Sequence, residues 1–131
     1  MTQGEVERQE SDAVAIKWQR VRAASDELID HAMVEAAYAN PRLRMLFPNI
    51  SHGSLHFSRC IKFPWTNDVP SIYPRSGGGF RVVRMNEPVG SNHQLAGDAD
   101  SAEDAAALVV AHLPPCCGPA IDGTADDLNQ P

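Results

Sequence analysis

Between Ser51 and Cys60 the chain places three serines, two histidines and a cysteine within ten residues. These are the side chains of nucleophilic and acid–base chemistry. In an extended strand His56, Ser58 and Cys60 alternate onto one side. A nucleophile–base pair also needs an orienting carboxylate, and residues 41–84 hold only Asp68. No nucleophile elbow surrounds any of the serines. Polar side chains on a solvated sheet face therefore explain the cluster better than a hydrolase does. His52 and His56 are left as the general acid or base of an alternative, a small biosynthetic enzyme of the cyclase or isomerase type. Arg59 or Arg81 would then hold the oxyanion.

The same residues are weak metal ligands. His52 and His56 sit four apart, the spacing of a helical zinc pair, but in a strand four residues span about 13 Å, too far for one ion. His93, His112, Cys60, Cys116 and Cys117 lack tetrahedral spacing, and adjacent cysteines do not readily ligate together. Ser76 to Gly79 lacks the helix and Lys-Ser/Thr of a phosphate loop and reads as a hairpin turn. We expect no metal and no cofactor.

Charge is the stronger signal. The net charge of -6 is unevenly distributed. Residues 1–40 carry four basic and eight acidic groups, residues 41–84 seven and one, and residues 85–131 none and eight. The middle of the chain is a basic island between acidic flanks. The bland explanation is that the flanks fold against the island, since exposed ion pairs are common. The sharper one is a surface for an anion or an acidic partner, built from Arg42, Arg44, His56, Arg59, Arg81 and Arg84. Aromatics between these arginines imitate a nucleic-acid surface, but the acidic whole disfavours that partner.

These residues must be positioned by a single domain of 131 residues. No apolar run approaches the roughly 18–20 residues of a membrane span. The acidic, polar start is unlike a signal peptide, and three cysteines, two of them adjacent, give no disulfide framework. We expect a reduced, cytoplasmic protein.

Residues 1–11 lack apolar periodicity and read as a disordered N-terminus. From Asp12, Val14, Trp18 and Val21 fall at helical spacing, and a second stripe runs from Leu28 to Ala37. Ser25-Asp26 places a break near Ala24. Asn40 caps a short Pro41 turn, which Pro48 stops. Residues 51–63 alternate as a strand, with Arg59 out of phase. Val69 to Tyr73 contains Pro70 and belongs on an edge, where it could pair two copies of the chain into a homo-oligomer. Phe80 to Met85 is a strand, Pro88 to Gly90 a turn, and Asn92 to Ala96 a fourth short strand. Ser101 caps the last helix. The pattern predicts an α+β domain over 12–113: N-terminal helices, a three- to four-stranded antiparallel sheet, and one C-terminal helix on the same face. Residues 114–131 form a Gly/Pro-rich acidic tail, docked or disordered.

VEAAYANPRLRMLFP, SHGSLHFSR, the Gly-rich turn before FRV, SAEDAAALVVAHLP and GPAIDGTADDL together resemble an actinobacterial domain family of unknown function. Its members are loosely labelled natural product biosynthesis proteins. The resemblance spans roughly residues 12 to 128 and implies a cytoplasmic accessory protein, with no catalytic residues to carry over. Together these features lead us to expect a non-catalytic accessory or binding protein. Its basic middle would hold an acidic protein partner or an anionic small molecule.

Overall fold

The computed structural model describes residues 2–87, 94–114 and 117–128, with side chains from residue 13 onward. Helix α1 spans Thr2–Ala23 and buries Val14, Trp18 and Val21, the stripe its periodicity predicts. The break falls at Ala24, as expected. The cap of the next helix is Asp30, whose carboxylate accepts from the Met33 amide at 3.2 Å. Helix α2, His31–Ala39, buries Met33, Val34 and Ala37. Asn40 accepts from the Arg42 amide and starts the single-turn α3, Pro41–Arg44.

Five strands follow among the described residues, not three or four: β1 Phe47–Ser51, β2 Ser54–Ser58, β3 Ser71–Pro74, β4 Phe80–Val83 and β5 Leu95–Ala99. They form an antiparallel meander in the order β1-β2-β3-β4-β5. The extra strand is β1. Proline was expected to end the chain segment at Pro48, but β1 is an edge, where a missing N–H need not break a ladder bond. What reads as one long strand from Ser51 is a hairpin. His52 and Gly53 turn it with φ of 51° and 82°, the paired positive angles of the hairpin-type turn. β3 is a second correction. It starts after Pro70, so that proline costs the ladder nothing, and it lies inside the sheet rather than on an edge. Edge pairing between copies through β3 is therefore closed; the edges are β1 and β5. Pro88–Gly90 and Asn92 lie outside the described residues.

Helix α4, Ala102–Ala111, starts at Ser101, whose hydroxyl accepts from the Asp104 amide as expected. It packs on β3, β4 and β5, while α1 packs on β1 and α2 on α4. Leu55, Phe57, Ile72, Phe80 and Val82 face these helices and join the buried core. The opposite face of the sheet carries Asn49, His56, Tyr73 and Arg81, which alternate with the core positions. Residues 120–125 then run beside 59–64: Ile61 N–H donates to the Ile121 carbonyl at 2.9 Å, and Lys62 N–H to that of Gly123 at 2.8 Å. α5, Ala125–Leu128, ends the described chain.

In the β3–β4 turn Gly79 is held to glycine by both its backbone angle and its surroundings. Gly79 has φ +79°, and an added Cβ would lie 2.8 Å from the Ala99 carbonyl oxygen of β5. Backbone cannot yield as a side-chain tip can. Gly79→Ala is expected to cost about 2 kcal/mol, read as a lower urea midpoint at unchanged slope.

Candidate functional site

His56 sits mid-strand on the helix-free face. Ser54 has one proton, which it donates to the Ser51 carbonyl. Its oxygen is then the acceptor for His56 Nε2–H at 2.8 Å. On the other side the Ser71 hydroxyl, fully buried, donates to Nδ1 at 2.7 Å. A neutral ring with its proton on Nε2 satisfies all three groups. Tyr73 closes on the ring edge-on at 5.8 Å. Both nitrogens that could move a proton are thus occupied by hydroxyls themselves buried beneath the sheet surface.

Burial first, and the nearby charge of His52 second, push the His56 pKa down. The folded state prefers the neutral ring, so the stability it contributes is complete above the unfolded value near 6.5 and is lost as pH falls through the folded one. The urea midpoint of the wild type is expected to fall more steeply between pH 7.5 and 5 than that of His56→Gln. Equal slopes would refute this linkage. His52 itself is exposed on the hairpin turn, its Nδ1 3.4 Å from Ser51 Oγ.

Beside His56 lies an open hollow of about 490 Å³, floored by Asn49, Ser51 and His56 and walled by Phe63, Pro64, Trp65 and Thr66. Trp65 stacks on Phe47 at 6.5 Å and meets Phe63 edge-on at 5.4 Å. Phe63 is 76% exposed. Phe63 and Trp65 are among the aromatics that the sequence sets between arginines; their exposure depends on a 59–68 loop whose path has no local signature.

The arginines sort by their partners. Arg59, just past the end of β2, holds Asp68 with Nε at 3.0 and 3.2 Å and with Nη2. That explains why it falls out of phase. Lys62 pairs with Asp122 at 3.2 Å. Arg81 on β4 pairs with Asp98 at 3.0 Å, and Arg75 reaches the same carboxylate at 3.8 Å. The Arg81 hydrogen bond holds Asp98 below the usual carboxylate range. Asp98 and Asp122 belong to the acidic C-terminal flank, so that flank does fold onto the island. Arg84 lines a crevice of about 390 Å³ with Asp68, Glu87 and His112. Arg42 and Arg44 differ. They stand exposed on α3 with no carboxylate within 4 Å among the described residues. Arg44 lies 5.4 Å from the centre of the Tyr38 ring. Burial pushes the Cys117 thiol pKa up, against the smaller downward pull of Arg59 and Arg42.

Thus the structure does not gather Arg42, Arg44, His56, Arg59, Arg81 and Arg84 on one surface. Arg81 lies on the sheet, Arg59 and Arg84 neighbour Asp68, and Arg42 and Arg44 ride on the helical layer. Among the described residues no three His, Cys, Asp or Glu side chains converge as a metal site; His93 and Cys116 lie outside those residues. No described helix is long and apolar enough to cross a membrane.

A family model described as a family of unknown function, DUF6193, matches residues 12–124. The chain belongs to this family. The match covers all of the sheet, α2, α3, α4 and the core-forming half of α1, so the hydroxyl-bound histidine and the α3 arginines both fall within the DUF6193 region. No curated protein and no solved structure matches the chain.

Proposed function

We propose that the protein is a non-catalytic binding protein that holds an anionic small molecule through cationic groups of its middle segment. One observation carries this. Among the described residues, four of the island's cations meet carboxylates of the same chain, while Arg42 and Arg44, two residues apart on α3, meet none. A cation that meets no carboxylate in the fold is one that a ligand can complete. The closed ring of His56, and the commitment of Arg59 and Arg81 to aspartates, support the non-catalytic side over acid–base chemistry. An accessory role in natural product biosynthesis, with an acidic protein as the other candidate partner, belongs to the same proposal.

Thermal-shift screening over carboxylated and phosphorylated metabolites tests it, because a ligand of the native state raises Tm by mass action. At a hundredfold excess over Kd the gain is about 2.7 kcal/mol, several degrees for a chain of this size. The Arg42→Gln/Arg44→Gln double variant is expected to lose that shift. If no anion moves Tm, or if the double variant responds as the wild type does, the proposal fails.

A further inference from the structure

We infer that a hollow between α1, Tyr38 of α2, the end of α3 and Pro119-Ala120 binds a monocarboxylate with an apolar body. This rests on the anion-binding proposal and gives it a site and a ligand class. The hollow has a volume of about 350 Å³, within the range of small-molecule sites. Its walls are aromatic: Trp18 and Tyr38 meet edge to face there, with centroids 5.5 Å apart. Met45 lines it as well, and Ala120 closes one side, fixed by its N–H to the Met45 carbonyl at 2.9 Å.

Among the described residues Arg44 is the only charged side chain in this lining. A second guanidinium, Arg22, lies 4.1 Å from the Tyr38 ring centre, but Glu35 takes it with two bonds of 2.8 and 2.9 Å. The hollow therefore has an excess of one positive charge, at the edge of an apolar space. A planar guanidinium suits a carboxylate's two oxygens. A phosphate dianion would bring a second charge, with no second cation among the described lining residues to meet it. At the roughly 30 Å³ a water molecule occupies in the liquid, the space holds about a dozen non-hydrogen atoms. An arylalkanoate such as 4-phenylbutanoate is of that size.

Calorimetric titration of the full chain with 4-phenylbutanoate, its primary amide and inorganic phosphate tests the site. The carboxylate is expected to bind about tenfold more tightly than the amide. Arg44→Gln should bring the acid down to the amide's affinity. Ala15→Phe fills the hollow from an exposed position on α1 and should abolish binding of both, with Tm confirming that the variant folds. Arg20→Gln, exposed on the same helix, should change neither. Trp18 emission should respond to the acid in the wild type. Undiminished carboxylate binding in Ala15→Phe or in Arg44→Gln overturns the site, while leaving the broader anion-binding proposal standing. An amide bound as tightly as the acid, or phosphate displacing the acid, overturns the ligand class. Failure of 4-phenylbutanoate to bind overturns the site, and a metabolite screen that moves no Tm overturns the broader proposal with it.

Discussion

Trp18→Ala is expected to cost about 3–5 kcal/mol, the range for deleting a buried aromatic. Trp18 is 1% exposed and stands where three elements meet. Its ring contacts Tyr38 of α2 at 5.5 Å and Phe57 of β2 at 6.4 Å. Its indole N–H donates to the Leu46 carbonyl at 3.0 Å, across 28 residues of sequence. That carbonyl lies just before β1, so the bond ties the first helix to the first strand. Alanine removes the ring contacts and leaves the carbonyl unpaired. A domain has a total stability of only about 5–15 kcal/mol, so this variant should approach the unfolding threshold at 37 °C. Trp18→Phe separates the two effects. It keeps an aromatic ring and loses the N–H, and should cost about 1–3 kcal/mol. Urea midpoints of the two variants measure this; equal losses would mean that packing contributes little beyond the hydrogen bond.

Much of the helical layer was legible because its signals are local. Val14, Trp18 and Val21 repeat at helical spacing, Asn40 precedes Pro41, and Ser101 stands three residues before Asp104. Each of these depends on neighbours within one or two turns. The sheet was legible as a class and not as an arrangement. Pro48 was read as the stop of a short turn and Pro70 as the mark of an edge strand, yet one lies inside an edge strand and the other stands just before a central one. A proline's cost depends on whether a neighbouring strand needs its N–H, and that is a fact of pairing, not of sequence. The turn at His52-Gly53 was missed because its residues are polar on both sides of the reversal. Ser51 and Ser54 face each other across the hairpin, so the alternation changes phase there, but Ser51, His52 and Ser54 are all polar and the change leaves no mark in the apolar pattern.

The site was legible in composition and not in geometry. The excess of arginines over 41–84 is real, but which of them remain without a carboxylate is decided by long-range folding. Asp98 reaches Arg81 from an adjacent strand, and Asp122 reaches Lys62 from the tail. A charge count cannot separate these arginines from Arg42 and Arg44. Likewise His56 looked free to move protons because Ser71, fifteen residues on, is brought to its Nδ1 by the β2–β3 pairing. The hollow beside Arg44 draws on residues from 14 to 120, a separation no local motif spans.

Ser58→Ala is expected to cost about 3 kcal/mol although it removes one oxygen. In the sequence Ser58 is a polar residue on an outward strand face. In the fold it is 1% exposed and its hydroxyl is saturated. Its proton goes to the Cys60 carbonyl at 2.8 Å. Its oxygen accepts from the Cys60 amide at 3.1 Å and from the Thr66 amide at 3.2 Å. Three backbone groups of the 59–68 loop thus close on one side chain. Alanine leaves them without a partner, at about 1–3 kcal/mol for each group that stays dry; water reaching the half-buried Thr66 lowers the total. The loop should loosen along with the loss of stability, because its path is set by those bonds and by the Arg59–Asp68 pair. Amide exchange of Cys60 and Thr66 should speed up more than that of core amides such as Val82. Ser58→Thr keeps the hydroxyl and should retain the protection if the added methyl fits. Uniform acceleration in Ser58→Ala would mean that the serine supports the whole fold and not the loop. Unchanged exchange at both amides would mean that the hydroxyl is dispensable. The aromatic rim of Phe63 and Trp65 is carried on this loop, so its exposure follows from one buried serine hydroxyl.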